Sequence, residues 1–196
     1  MREFLTERRL NKITRVVNER QHSLRVVIEN VHDPHNVSAI FRTCDAVGVP
    51  KISLLYNTEE FPKISRISSS SANKWIEKER FSDTAECFNS LRVEGFKIYS
   101  TMLDETAKSI YDIDFTEKIA IVMGNEHRGV SEEAAELSDG LIYIPMHGMI
   151  QSLNVSVATA VILYEAQRQR LVSGMYEKSE LPSEIIEKTI DEWSDK

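Results

Sequence analysis

No apolar run in the 196-residue sequence is long enough to cross a bilayer; the longest, 155–164, is about half of what a spanning helix needs. The first residues are charged and lack the apolar stretch of a signal peptide. Cysteine is scarce. Cys44 and Cys87 stand alone with no CxxC, which excludes a disulfide framework and a zinc ribbon. They read as reduced thiols of a cytoplasmic protein. No metal-ligand spacing appears either. His32 and His35 flank Asp33-Pro34 and read as a turn, so no metal is expected.

Three catalytic fingerprints are missing as well. No GxGxxG opens a dinucleotide site, and no GxSxG elbow marks a serine hydrolase. Gly124 and Gly129 have the glycine spacing of a phosphate loop, but Val130-Ser131 stands where lysine and serine or threonine belong. Basic charge is short overall, with 24 Lys+Arg against 31 Asp+Glu and a net charge of −7. Taken alone, that average disfavours a nucleic-acid partner.

What is present changes this picture. Residues 1–25 hold seven basic groups (Arg2, Arg8, Arg9, Lys12, Arg15, Arg20, Arg25) and three acidic ones, a local +4. Residues 177–196 hold three basic and seven acidic groups, a local −4. A basic arm therefore precedes an acidic body and tail. Hydrophobic residues make up 41%, enough for one sizeable core.

Periodicity gives an alternating order. A helix is predicted over 5–20, with Leu10, Ile13 and Val17 on one stripe. A buried strand follows at 24–31, then a helix over 37–47 capped by Asn36 and stopped by Gly48. Strands are predicted at 51–56, about 75–81, 96–102, 119–123 and 141–145. Helices are predicted at 84–93, from a Ser131 cap, over 153–171 and over 182–194. The stretch after Met102 reads as a polar loop. This is an α/β fold with a largely parallel sheet. It divides into a basic arm (1–22), a central domain (23–172) and an acidic amphipathic tail (173–196). Ligands of such sheets bind beyond the carboxyl ends of the strands. The loops there are HDPHN after Val31, LDET after Met102, GNEHRG after Met123 and MHGMIQSLN after Pro145.

Three segments then resemble one family in order and spacing. They are 36–48 (NVSAIFRTCDAVG), 121–131 (IVMGNEHRGVS) and 144–158 (IPMHGMIQSLNVSVA). The chain resembles the SpoU (TrmH) family of RNA 2′-O-methyltransferases, within the SPOUT superfamily. Among its branches, the one acting on guanosine-18 of the tRNA D-loop is most similar. Other RNA targets, and a non-catalytic RNA-binding module, are the alternative readings.

The resemblance implies a deep C-terminal trefoil knot and a homodimer. It implies S-adenosylmethionine as cofactor, held at Thr101, Gly124, Ile144, Met146, Gly148 and Leu153. The glycines there are expected to let a ligand approach the backbone closely. It implies tRNA as substrate, held by Arg8, Arg9, Lys12, Arg15, Lys74 and Arg128. Its catalytic positions match Arg42 first, then Asn36, Glu126, Ser152 and Asn154. Glu126 is expected to pair with an arginine, and Ser152 and Asn154 to open the last helix. A guanidinium stays protonated, so a simple base role for Arg42 is chemically unattractive. Either Arg42 stabilises the developing alkoxide while a phosphate or water takes the proton, or a nearby phosphate completes a proton relay through it. One departure stands out: Ser70, Ser71 and Asn73 replace the glycines and histidine common in the family, although Lys74 and Trp75 match.

Overall fold

The structure is a computed structural model that describes residues 5–63 and 72–196. Ser70 and Ser71 lie outside the described residues. Helix α1 spans Glu7–Asn18 behind a Thr6 cap. Strand β1, Leu24–Glu29, is buried at every position, which explains why its apolar residues do not alternate with exposed ones; its charged members Arg25 and Glu29 are buried with partners. Helix α2 spans Pro34–Ala46 and begins earlier than the sequence suggested. Asp33, not Asn36, is its cap: the Asp33 carboxylate accepts from the His35 N–H at 2.8 Å, and Pro34 fills the first helical position. Gly48, at φ +85°, stops the helix in the left-handed region.

The remaining elements keep the predicted order, with two short elements added that the sequence did not indicate. They are β2 (Lys51–Leu55), α3 (Ala72–Trp75), β3 (Glu77–Phe81), α4 (Thr84–Val93) and β4 (Lys97–Thr101). Then come β5 (Lys108–Ser109), β6 (Ile119–Met123), α5 (Glu132–Leu137), β7 (Gly140–Tyr143), α6 (Val155–Val172) and α7 (Ser183–Ser194). The stretch read as a polar loop contains β5, and Ile110, Ile113 and Phe115 just after it are buried. Two residues of strand among polar neighbours carry too little periodicity to be seen in sequence.

All seven strands are parallel, in the order β3-β2-β1-β6-β4-β7-β5. Alternate residues of the central strands feed opposite faces. Val26, Ile28, Ile121 and Met123 pack with Ile40 and Phe41 of α2 and Ile162 and Leu163 of α6. Val27, Ala120 and Val122 pack with Phe88 and Leu91 of α4 and Ala134 of α5.

A third cluster joins the two ends of the chain. Ile13 and Val17 of α1 pack on Ile190 of α7, flanked by Leu5, Leu10, Ile186 and Trp193. The Trp193 ring lies 4.8 Å from Trp75 of α3. The basic arm and the acidic tail therefore pack as one unit. Two members of the basic count belong to the core rather than to an exposed face. Arg20 is buried, pairs with Asp45 at 2.6 Å and stacks on Trp193. Arg25 is buried and pairs with Glu94 at 2.9 Å and Glu79 at 3.4 Å.

Candidate functional site

Outward from β1 lie β2 and β3, and on its other side come β6, β4 and then β7. The strand order reverses between β1 and β6, and sheets of this kind bind ligands beyond the carboxyl ends of their strands. A cavity of about 530 Å³ lies beyond those ends of β4, β6 and β7. The loops after β4, β6 and β7 and the first turns of α6 line it. Its apolar floor includes Met123, Ile142, Val155 and Ile162.

Five of the six residues expected to hold the cofactor line this cavity: Thr101, Gly124, Ile144, Met146 and Leu153. Gly148 is not among them, and a Cβ there would meet nothing within 4 Å. The packing of the chain itself therefore places no demand for glycine at position 148. Gly124 does need to be glycine, but for a different reason. A Cβ would lie 2.2 Å from the Gly129 carbonyl carbon and from the Val130 nitrogen. The loop closes on itself through reciprocal Asn125–Gly129 backbone bonds of 2.9 Å, so Gly124 is required by the loop before any ligand arrives. Gly124→Ala is expected to lower Tm by roughly 3–10 °C, because overpacking costs about 1–3 kcal/mol and each kcal/mol shifts a domain of this size by a few degrees. Gly148→Ala should stay within about 2 °C of the parent. Thermal denaturation of both variants checks the contrast.

At the cavity wall, three separated segments, 32–36, 126 and 154, are tied together around one carboxylate. Glu126 Oε2 accepts from the His32 N–H at 3.0 Å, and Oε1 accepts from the Asp33 N–H at 3.0 Å. Oε1 also accepts from Asn36 Nδ2 at 2.9 Å. Asn36 Oδ1 in turn accepts from Asn154 Nδ2 at 3.0 Å. Asn154 caps α6, its Oδ1 accepting from the Ser156 N–H at 2.9 Å. Thus Glu126 pairs with an asparagine and backbone amides rather than with an arginine. Asn36 serves as the bridge between Glu126 and Asn154, which is why its side chain is not the α2 cap. Partial burial pushes the Glu126 carboxyl up, but the bonds from Asn36, His32 and Asp33 outweigh it and hold it below its ordinary 4.5. A depressed carboxyl stabilises above its unfolded value and is lost as pH falls through its folded value, so this tie holds at neutral pH and releases only in acid.

Ser152 lines the cavity but does not cap α6. Arg42 lies elsewhere. It is exposed on α2, six residues beyond Asn36 and hence about 9 Å further along the axis. It does not line the cavity of its own chain.

The expected RNA contacts divide in two. Arg8, Arg9, Lys12 and Arg15 are exposed along α1, and among the described residues only Arg15 has an ion pair, a long one of 3.9 Å to Glu19. Lys74, in α3, donates to the Lys196 carbonyl and sits over Trp75. Arg128 lines the cavity and pairs with Glu59 at 2.7 Å.

Asn30 is an organising residue that the sequence reading passed over. It adopts φ +50°, and its Oδ1 accepts from the N–H groups of Asn57, Thr58 and Glu59, each at 3.1 Å. Its own carbonyl accepts from Asn125 Nδ2 at 2.7 Å. An asparagine directly after a buried strand was the available signal, since asparagine is the side-chain-bearing residue best suited to that backbone region.

These features define a parallel α/β domain with a ligand cavity at the carboxyl ends of its strands, walled by the second and third motif segments and tied to the first through Glu126. The chain belongs to the SpoU rRNA Methylase family, which matches residues 23–164. It is 47% identical over 188 residues to a tRNA (guanosine(18)-2′-O)-methyltransferase of Thermus thermophilus, covering 96% of each chain. The crystal structure of the Aquifex aeolicus TrmH/SpoU tRNA-modifying enzyme superimposes with a TM-score of 0.89 at 41% identity, again covering 96% of each. The methyltransferase AviRb of Streptomyces viridochromogenes, solved with the cofactor AdoMet, matches with a TM-score of 0.68 at 27% identity. That match covers 79% of this chain and 62% of AviRb.

Proposed function

We infer that this chain is an S-adenosylmethionine-dependent methyltransferase acting on the ribose 2′-hydroxyl of guanosine-18 in tRNA. The observation that carries this reading is the end-to-end match to a guanosine-18 enzyme, with the second and third motif segments lining one cavity and the first tied to them through Asn36.

The cavity fits the cofactor. Its volume lies within the range of small-molecule sites, and backbone-rich loops surround an apolar floor. When bound, the cofactor supplies a sulfonium-activated methyl group. The protein's own part is to hold the acceptor oxygen in line with that methyl and to stabilise charge on the oxygen. Glu126, Asn36 and Asn154 act as positioning residues, since together they fix the loop after β6, the start of α2 and the start of α6. Ser152 lies at the cavity and is assigned to the ribose. Arg42 is assigned to the developing alkoxide, as a permanent cation matched to a permanent need.

Helix α6 supports the homodimer. Val157, Tyr164 and Leu171 repeat at helical spacing and are about half exposed. Because α2 packs on α6, a dimer formed through this stripe sets Arg42 near the subunit boundary. The trefoil knot is part of the same reading; its support is the strand order, in which β6 returns between β1 and β4 before β7 pairs outside β4. We assign 23–172 to the catalytic domain and treat 1–22 and 173–196 as extensions. No helix among the described residues is long and apolar enough to cross a membrane, and we place the enzyme in the cytoplasm with its tRNA.

The test is transfer of labelled methyl from the cofactor to tRNA and ribosomal RNA, followed by mapping of the modified nucleotide. Incorporation at guanosine-18 is expected; no incorporation into tRNA overturns the reading. The arm is tested by substitution rather than truncation, because removing α1 would expose Ile190 and Trp193 of α7. Replacing Arg8, Arg9, Lys12 and Arg15 with glutamine should weaken tRNA binding roughly 10-fold at low salt and flatten its salt dependence. Cofactor affinity should not move.

A further inference from the structure

At the rim of the cavity, one carboxylate engages an arginine and lies beside a histidine. Glu59 Oε1 lies 2.7 Å from Arg128 Nη2, and Glu59 Oε2 lies 3.6 Å from His32 Nδ1. Thr58 Oγ1 is a further acceptor for Arg128 Nη2 at 3.5 Å. The Arg128 and His32 side chains face solvent, 60% and 73% exposed, whereas Glu59 is 28% exposed. Glu59 is thus the covered member of the cluster, with the nitrogen donors outermost.

The placement is built from below. Asn30 Oδ1 takes the backbone N–H groups of residues 57–59, and Asn30 Nδ2 donates to Asn57 Oδ1 at 2.7 Å. The Asn30 carbonyl is bound to Asn125, whose Oδ1 accepts from the N–H groups of His127 and Arg128 at 3.0 and 3.2 Å. The His32 backbone is tied to Glu126. One scaffold therefore holds the carboxylate, Arg128 and His32, and it is the scaffold that walls the reaction cavity. An exposed pair of this kind contributes at most about 1 kcal/mol to stability, so stability gives a weak reason for building it.

We propose that Arg128 and His32 form a subsite for an RNA phosphodiester next to the reaction cavity, and that Glu59 occupies it as a resident anion until a correctly placed phosphate displaces it. This rests on the functional reading above. A phosphodiester carries the same single charge as the carboxylate and accepts the same donors. With Glu59 in place Arg128 is neutralised toward arbitrary RNA. An RNA already anchored at α1 presents its phosphate at high effective concentration and makes the exchange. Glu59 would therefore discriminate between RNAs more than it sets affinity.

The test is Glu59→Gln, which removes the charge and keeps the backbone donors to Asn30. Binding of tRNA and of a structureless oligouridylate of similar length is measured against salt. We expect oligouridylate affinity to rise about 3–10-fold with a steeper salt slope, tRNA affinity to rise less, and discrimination to shrink. In an Arg128→Ala background the same substitution should change oligouridylate binding by less than half as much. Unchanged or weaker oligouridylate binding overturns the proposal. So does a full gain that survives without Arg128, which would mean general repulsion. A shift in cofactor affinity in place of RNA affinity would assign the subsite to the cofactor's carboxylate and also overturn it. If the parent protein transfers no methyl to tRNA, the functional reading fails, while the two-RNA binding comparison still decides this one.

Discussion

Arg42→Ala is expected to reduce methyl transfer by about 10²–10³-fold or more, the loss typical of removing one preorganised group from a developing oxyanion. The protein should remain folded. Arg42 is exposed on α2 and makes no ion pair among the described residues, so its removal should leave Tm within about 2 °C. Cofactor affinity should also persist, because Arg42 does not line the cavity of its chain. The defect should fall on kcat. Arg42→Lys separates charge from shape: a lysine keeps the positive charge but loses the planar fork that holds an oxygen in a fixed direction. We expect it to lose most of the activity too. Near-normal turnover of Arg42→Lys with unchanged tRNA affinity would show that Arg42 is not the key group. Titrating RNA and cofactor separately, with single-turnover rates, distinguishes these outcomes.

The contrast between Arg42 and Glu126 shows what a sequence exposes and what it conceals. Both stand in recognisable segments, so both were legible as site residues. Their partners were not. Glu126 has no neighbour in sequence that predicts bonds to Asn36, 90 residues away, or to the backbone of residues 32 and 33. That pairing exists because parallel β1 and β6 lie side by side with their ends level, Ile28 opposite Met123. Asn36 was misread for the same reason: locally it resembles a cap, and only the arrival of Asn154 and Glu126 from elsewhere gives its amide another use. The α/β order was legible because β1, β6 and α4 carry strong patterns, while β5 has only two residues to carry one. The charge gradient was legible but overcounted. Arg20 and Arg25 look like their exposed neighbours in sequence, and only the packing of α7 and β3 commits them to Asp45, Glu79 and Glu94.

Arg170 presents the opposite case, a charged residue near the end of a helix that would ordinarily be solvated. It is fully buried, and its guanidinium is used on every nitrogen. Nε donates to the Phe115 carbonyl at 2.8 Å, Nη1 to Ser23 Oγ at 2.7 Å and Gln21 Oε1 at 3.2 Å. Nη2 donates to the carbonyls of Glu117 at 2.9 Å and Ser23 at 3.1 Å. Glu180 lies 3.7 Å away as the charge partner. Burial pushes the guanidinium below its usual value, with Glu180 opposing that, yet an arginine retains its proton at working pH. One side chain thus fastens the end of α6 to the segments that enter β1 and β6, the two central strands.

Truncation would strand a buried carboxamide, a hydroxyl and three carbonyls at once. Arg170→Ala is therefore expected to destabilise by about 3–5 kcal/mol, which lowers Tm by roughly 6–20 °C in a domain of this size. Arg170→Lys should recover only part of this, since three ammonium donors cannot serve five acceptors in a plane. Glu180→Gln should be mild by comparison, because the neutral acceptors remain satisfied. Urea denaturation of the three variants orders them: if Ala and Gln substitutions cost the same, the charge pair rather than the donor network holds α6 in place. The functional consequence runs through α6 itself. Its first turn carries Asn154 and part of the cavity wall, and its last holds Arg170, so loosening the distal anchor should weaken cofactor binding about 25 Å away along one helix.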